Sequence, residues 1–206
     1  MTKQVIMIAI AGASGSGKST LAKLIISKMP PSLKTIVVCQ DSYYFSNNQL
    51  TAEQRRSINY DHPKSFDWDL IKEQLTKVKQ EHKINVPRYD YINEIRLEQG
   101  DSYSDVDVVI FEGIYAIYDQ SINDYFDIKI FVDTPKDECL TRRLLRDIND
   151  RKRSLESVIK QWRDDVSPMY DKFIEPSKKN ADLVIMTIRE NSVAVQTIMN
   201  WILKKV

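Results

Sequence analysis

Glycine is scarce in this chain: 5 residues of 206, where ordinary usage would give about 14. The backbone therefore has few places where it can enter conformations closed to other residues. Cysteine is scarcer still. Cys39 and Cys139 are the only two, too few for a disulfide framework. No apolar run approaches the roughly 18 residues that cross a bilayer, and the N-terminal MTKQVIMIAI carries no small-residue cleavage site behind its apolar stretch. Net charge is nearly absent, with 30 Lys plus Arg against 29 Asp plus Glu. That balance excludes a general attraction to nucleic acid or to an anionic membrane, so any bound anion must be held by a local site. The expectation is a soluble, cytoplasmic protein with no nucleic-acid or membrane partner. With 42% hydrophobic and 29% charged residues, the composition is globular and not disordered, and the length suits one compact domain.

The chain is organised as short β-branched runs separated by helical patterns. Val5 to Ala11, Thr35 to Cys39, Val106 to Phe111, Ile128 to Val132 and Leu183 to Met186 read as strands. Most are continuously apolar, as strands covered on both faces of a parallel sheet must be. Helices are expected over Lys18 to Met29, Asp69 to Lys83, Lys136 to about Asp150, Leu155 to about Lys172, and from Ser192 to the C-terminus. The fold class is α/β, with three layers and a mostly parallel sheet. No repeat or linker divides residues 1–206, so a single domain is expected. Tyr43 to Asp67 and Ile84 to Ser104 are too long for simple connections and rich in Tyr, Asn and Asp; such inserts are where a second substrate would be gripped.

Three of the five glycines, Gly12, Gly15 and Gly17, fall within six consecutive positions. The stretch Gly12-Ala-Ser-Gly-Ser-Gly-Lys-Ser19 matches G-x-x-x-x-G-K-[ST] and stands between an apolar strand and an amphipathic helix, the context that makes the motif a phosphate cradle. Successive backbone N–H groups there face one concavity, and the following helix adds its positive end. In this motif the Lys18 ammonium reaches the β/γ-phosphates and the Ser19 hydroxyl is placed on Mg²⁺. The cofactor-binding set is Gly12, Ser14, Gly15, Ser16, Gly17, Lys18, Ser19 and Thr20. No N-K-x-D occurs, which argues against a guanine-specific switch, and the length leaves no room for a motor ATPase.

Carboxylates stand at the ends of two other strands. Val108 to Phe111 runs into Glu112, within reach of a metal at the phosphate site, and Val38-Cys39-Gln40 runs into Asp41. An Asp facing a γ-phosphate meets the geometric requirement for a base that takes an acceptor hydroxyl's proton. Further on, Thr141 to Arg153 is strongly basic. If it is helical to its end, a 100° step puts Arg142, Arg143, Arg146 and Arg153 within an arc of about 100°. Like charges so arranged repel unless an anion sits between them, which suggests a lid over about 141–155 that closes on a triphosphate. A solvated helix with Asp147 and Asp150 as local partners is the plainer alternative.

Taken together these residues resemble the uridine kinase (uridine-cytidine kinase) family, within the phosphoribulokinase-like P-loop kinases. The resemblance spans nearly the whole chain. It rests on Gly12 to Thr20, Asp41-Ser-Tyr-Tyr44, Asn59-Tyr-Asp-His-Pro63 with Phe66-Asp67, and Pro87-x-Tyr-Asp-Tyr91 with Arg96. Phe111-Glu-Gly-Ile114, Phe131-Val-Asp-Thr134, the arginines from Arg142 to Arg153 with Ser154-Leu-Glu-Ser-Val158, Pro168, Glu175-Pro-Ser-Lys178 and Ala181-Asp182 complete it. It implies transfer of the γ-phosphate of ATP or GTP, with Mg²⁺, to the 5′-hydroxyl of a pyrimidine ribonucleoside in salvage, by a homo-oligomer that is usually a tetramer. It further implies Asp41 as general base, with Ser19, Asp41 and Glu112 around the metal. Asp61 would accept from the ribose 2′- and 3′-hydroxyls, with Tyr44, Tyr60, Tyr89 and Tyr91 as walls of the nucleoside pocket in an insert over about 43–104. Arg146 and Arg151 would contact phosphate, Arg143 and Arg153 the sugar, and Gln161 would lie near the pocket.

Two positions depart from the family pattern. The usual Arg-Gly-Arg of the lid is Arg151-Lys152-Arg153, which exchanges a flexible glycine for a charged residue. Where the family usually has a His facing the pyrimidine 4-position, three residues after Tyr91, this chain has Glu94. A carboxylate there would accept from the cytosine amine and oppose the uracil oxygen. His62 is expected to be a turn partner before Pro63 and not a catalyst. A kinase of the same superfamily acting on pantothenate or a sugar phosphate, and a non-catalytic nucleotide sensor, remain the alternatives.

Overall fold

The computed structural model describes residues 4–186 and 192–205. Its strands are β1 (Ile6–Gly12), β2 (Thr35–Cys39), β3 (Ile84–Val86), β4 (Tyr89–Asp90), β5 (Ile95–Arg96), β6 (Asp101–Tyr103), β7 (Val108–Glu112), β8 (Ile128–Asp133) and β9 (Leu183–Met186). Its main helices are α1 (Lys18–Ser27), α2 (Ala52–Arg56), α3 (Trp68–Glu81), α4 (Gln120–Asn123), α5 (Lys136–Asn149) and α6 (Leu155–Gln161), followed at the end by Ser192–Lys205. The expected last helix thus stands, except that Val206 lies outside the described residues. No helix among the described residues is long and apolar enough to cross a membrane.

Five strands form one sheet in the order β2-β7-β1-β8-β9, every neighbouring pair parallel. Alternation along central β1 divides the core in two. Met7, Ala9 and Ala11 pack with Ile71, Leu75 and Val78 of α3. Ile6, Ile8 and Ile10 pack with Leu21, Ala22 and Ile25 of α1 and with Val195, Ile198 and Ile202 of the last helix. Each fully buried aliphatic side chain contributes about 1.5–3 kcal/mol, so two such faces hold three layers together. β2 differs from the expected continuous apolar strand. It is an edge strand, and only Ile36 and Val38 are buried while Thr35, Val37 and Cys39 are half-exposed.

The two long segments carry more structure than their sequence announces. In the first, the Thr51 hydroxyl accepts from the Gln54 amide while the Gln54 side chain accepts from the Thr51 amide, a reciprocal cap that starts α2. The His62 ring accepts from the Lys64 amide at 3.0 Å, the local turn role expected of it. In the second segment, β3 pairs antiparallel with β6, and β4 with β5. Strands of two or three residues leave no periodicity to read. The β4–β5 turn is closed by Asp90, which accepts from the amides of Ile92 and Asn93. Asp67 both caps α3, accepting from the Leu70 amide, and pairs with Arg96 of β5 at 2.9 Å, tying this hairpin to the domain's helical layer. After α6 the helical path continues with wider π-type turns over Trp162–Val166 and Tyr170–Ile174, interrupted by Pro168 and Pro176; a proline lacks the donor an α-turn needs.

Candidate active site

The carboxyl ends of β1, β2 and β7 lie side by side, because the register sets Glu112 beside Ile10 on one neighbour and Cys39 on the other. From β1 the chain enters the glycine loop. Gly15 has φ +83°, and a Cβ built on it would stand 2.4 Å from the carbonyl oxygen of Cys139. Glycine is required there both by its dihedral and by the close packing of the loop on α5. Lys18 is almost fully buried, and its ammonium donates to the Ala13 carbonyl at 2.8 Å. Burial lowers its pKa, against the pull of Glu112 and Asp41. The Ser19 hydroxyl donates to Glu112 Oε1 at 2.8 Å, and Ser16 has a buried hydroxyl without a hydrogen-bond partner.

Lys18, Ser19 and Glu112 line a cavity of about 640 Å³, together with Ser14, Gly15, Gly17, Thr20, Asp41, Arg146 and Arg151. Gly12 and Ser16 are not on its wall. Both are buried under the loop, where the Ser16 carbonyl accepts from Thr134 Oγ1 at 3.0 Å. The Lys18 ammonium, nearly buried on the cavity wall at the start of α1, suits an anion. Among the described residues no group of three or more His, Cys, Asp or Glu could hold a metal alone. A Mg²⁺ ion seldom needs such a cage, since one or two protein oxygens with phosphates and water suffice. Because Ser19 gives its proton to Glu112, its lone pairs stay free, so Ser19 and Glu112 fit that role.

A second cavity, of about 550 Å³, opens beside the first. Tyr44, Tyr60, Tyr89, Tyr91, Asp61, Glu94, Arg143, Arg153 and Gln161 all line it, so the residues that the sequence scatters over more than a hundred positions meet here. Tyr44 stacks on Phe66 with ring centroids 4.4 Å apart and meets Tyr60 and Tyr89, each at 5.2 Å. The Tyr60 and Tyr89 hydroxyls are buried near each other without meeting hydrogen-bond geometry. Asp61 is 7% exposed; its carboxylate accepts from Gln161 Nε2 at 3.3 Å and lies 3.9 Å from Arg143. Burial raises its pKa, an effect that Arg143 opposes. Glu94 takes φ +56°. Burial raises its carboxyl pKa too, with Arg56 and Arg55 pulling the other way.

Six residues belong to both cavities: Ser14, Asp41, Tyr91, Ile114, Arg146 and Arg151. Asp41 follows β2 in a short 3₁₀ turn, and the Tyr91 hydroxyl donates to its Oδ2 at 3.4 Å. Arg151 lies over the Tyr91 ring, 4.5 Å from its centroid.

Arg142, Arg143 and Arg146 lie on α5 as expected, but Arg153 does not share their helical face. α5 ends at Asn149, and the chain turns back so that the Arg153 amide donates to the Asp147 carbonyl at 3.1 Å. Arg153 therefore reaches the site from a loop and not from the helix. The turn passes through Lys152 at φ +56°, the left-handed conformation that favours glycine, while its ammonium caps the Asn149 carbonyl at 2.7 Å. The substitution that departs from the family pattern thus keeps the glycine-like backbone. Of the two suggested local anions, Asp150 is exposed and Asp147 is 0% exposed, with Arg143, Arg146, Arg151 and Arg153 all within 3.6 Å of its oxygens.

Sequence reasoning missed Gln40 and Tyr115. The Gln40 side chain accepts from the Tyr115 amide at 2.8 Å, and the Tyr115 hydroxyl donates to the Asp61 carbonyl at 2.5 Å. Together they tie the loops that carry Asp41 and Asp61 to the end of β7, and neither residue stands in a recognisable motif. Arg56 also reaches the second cavity, where its place in a short polar helix gave no signal.

Residues 7–194 match the profile of the Phosphoribulokinase / Uridine kinase family. The chain belongs to this family. A uridine kinase of Ureaplasma parvum serovar 3 is 59% identical over 201 residues, covering 98% of this chain and 97% of that protein. A uridine kinase of Staphylococcus haemolyticus is 43% identical over 189 residues, 92% and 91% of the two chains. Among solved structures, phosphoribulokinase from Rhodobacter spheroides matches 90% of this chain and 71% of its own with a TM-score of 0.65 at 15% identity, a likeness of fold. Membership of the phosphoribulokinase and uridine kinase family makes the chain a P-loop kinase, a transferase that uses a nucleotide donor.

Proposed function

We propose that this kinase transfers the γ-phosphate of ATP or GTP to the 5′-hydroxyl of a pyrimidine ribonucleoside, uridine or cytidine. One observation carries the reading: Asp41 stands where the glycine-loop cavity meets the tyrosine-lined one, beside Arg146 and Arg151. A donor phosphate in the first cavity and an acceptor in the second would meet at that carboxylate. Asp61 takes the hydrogens of the ribose diol through charge-assisted bonds, and the tyrosine rings hold the flat base. Asp41 accepts the 5′-hydroxyl proton as the oxygen attacks in line. Lys18, Arg146 and Arg151 hold the phosphoryl oxygens, and Ser19 and Glu112 hold Mg²⁺, which supplies charge neutralisation at the phosphates when bound.

Residues 1–206 as one domain, the 43–104 segment as nucleoside-binding insert, the 141–155 segment as lid, a homotetramer and a cytoplasmic setting belong to the same proposal. Light scattering tests the assembly. The activity is tested by nucleoside-dependent ADP release with uridine, cytidine, pantothenate and a sugar phosphate as acceptors; turnover with the last two alone would reject it. Glu94 on the wall of the acceptor cavity supports a preference for cytidine, because a carboxylate accepts from the amine and repels the uracil oxygen. Competition between the two nucleosides in one reaction reads this directly, and equal use would remove Glu94 from base selection.

A further inference from the structure

Asp147 is fully buried in a region otherwise dominated by cations, and its two oxygens face different partners. Oδ1 takes Arg146 at 2.8 Å and Arg151 at 3.6 Å, and both arginines stand where the glycine-loop cavity and the acceptor cavity meet, lining each. Oδ2 takes Arg153 at 3.4 Å and Arg143 at 3.5 Å, which line only the acceptor cavity. Beyond Oδ2 runs a relay of hydrogen bonds. Arg143 donates to Ser14 Oγ in the glycine loop at 2.8 Å and to Gln161 Oε1 at 2.9 Å. Arg153 donates to the same Gln161 oxygen at 2.5 Å. Gln161 Nε2 then donates to Asp61 Oδ2 at 3.3 Å. The glycine loop and Asp61 are therefore joined by side chains whose guanidinium groups are held by one carboxylate.

We propose that Asp147 is a positioning residue that couples occupation of the two cavities, Oδ1 serving the arginines at their junction and Oδ2 those that line the acceptor cavity alone. The proposal rests on the nucleoside kinase reading. A triphosphate draws Arg146 and Arg151 away from Oδ1, and the Asp147 charge is then shared by two arginines in place of four. Arg143 and Arg153 are held more firmly, Gln161 is fixed between them, and Asp61 is better placed for the ribose diol. Nucleotide and nucleoside should each tighten the other's binding by the same factor. Burial works against the charged form of Asp147, yet Arg146 and Arg143 hold its carboxyl below the ordinary carboxylate range, as this role requires.

The test is calorimetric titration of uridine with and without a non-hydrolysable ATP analogue and Mg²⁺. In the unmodified protein the analogue should tighten uridine by about fivefold or more. Asp147→Asn, which keeps the shape and removes the charge, should bring that ratio to about one while both ligands still bind, and Asp147→Glu should restore part of it. Ser14→Ala cuts the same relay at its far end, taking one neutral acceptor from Arg143 without removing any charge, and decides the question if Asp147→Asn fails to fold; it too should lower the ratio. A normal ratio in the asparagine variant, or in Ser14→Ala when that variant decides, would make Asp147 a merely structural anion. A ratio of one in the unmodified protein would also overturn the coupling. Failure of uridine and cytidine to bind at all would instead reject the nucleoside reading and this inference with it.

Discussion

Replacing Asp61 by Asn separates the roles of the acceptor cavity from the stability of its wall. The side chain is 7% exposed and faces Arg143 at 3.9 Å and Gln161 at 3.3 Å. As a carboxylate it should hold the ribose diol by charge-assisted hydrogen bonds, worth about 1.5–3 kcal/mol when an ion is involved. At 1.4 kcal/mol per tenfold, Asp61→Asn should raise the KM for nucleoside by about tenfold to a hundredfold. The fold should bear the change. Burial raises the pKa of this carboxyl, so its ionised form is the one that folding penalises, and that penalty is fully present above its folded pKa. An amide removes it, and Arg143 keeps Asp147 at 3.5 Å. Tm should therefore stay close to that of the unmodified protein. The same raised pKa predicts that nucleoside affinity weakens on acidification at a pH above the ordinary aspartate range, as Asp61 takes up a proton, and that Asp61→Asn abolishes this acid limb. A coupled assay of ADP release gives both KM values, and thermal unfolding gives Tm. An equal rise in KM for ATP and nucleoside, or no rise in either, would refute the reasoning.

Asp41→Asn should lower kcat by at least about a hundredfold, the lower end for general-base catalysis, with nucleoside binding largely kept in a titration; normal turnover would remove Asp41 from the chemistry. Gly15→Ala must place a methyl 2.4 Å from the Cys139 carbonyl oxygen at a φ of +83°, so Tm should fall and the KM for ATP rise, as steady-state kinetics and unfolding would show; an unchanged enzyme would mean the loop does not pack there. At Lys152, φ is +56°, a conformation costing an L-residue about 1–2 kcal/mol. Lys152→Gly relieves that strain but loses the bond to the Asn149 carbonyl and frees the unfolded chain by about 0.5–1 kcal/mol, so Tm should move little, whereas Lys152→Val should lower it; equal Tm values for the two variants would contradict the left-handed turn.

Much of the phosphate site was legible because it is local. Gly12 to Ser19 encode loop, helix start and ligands within eight positions, and strand termini alone brought Asp41 and Glu112 to the same edge. The acceptor side was legible only through resemblance. Asp61 sits in an irregular segment, and nothing in its neighbourhood foretells that Gln161, a hundred residues on, will hold it. The arginines show where local reasoning misled: helical spacing counted Arg153 with Arg142, but the helix stops at Asn149 and a left-handed residue turns the chain back.

The order along the chain of the five long strands and the main helices around them, and the glycine loop, were determined by the sequence itself, since periodicity and turn chemistry act over a few residues. Only the tertiary structure decided which charges meet. Asp147 reads as one more surface partner on a basic helix until folding removes it from water and gathers four guanidinium groups around it. Tyr115 and Gln40 likewise gain their function only when β7 is laid beside β2. Burial and long-range pairing set the strength of a charge and the partner it finds, and both depend on residues that are distant along the chain.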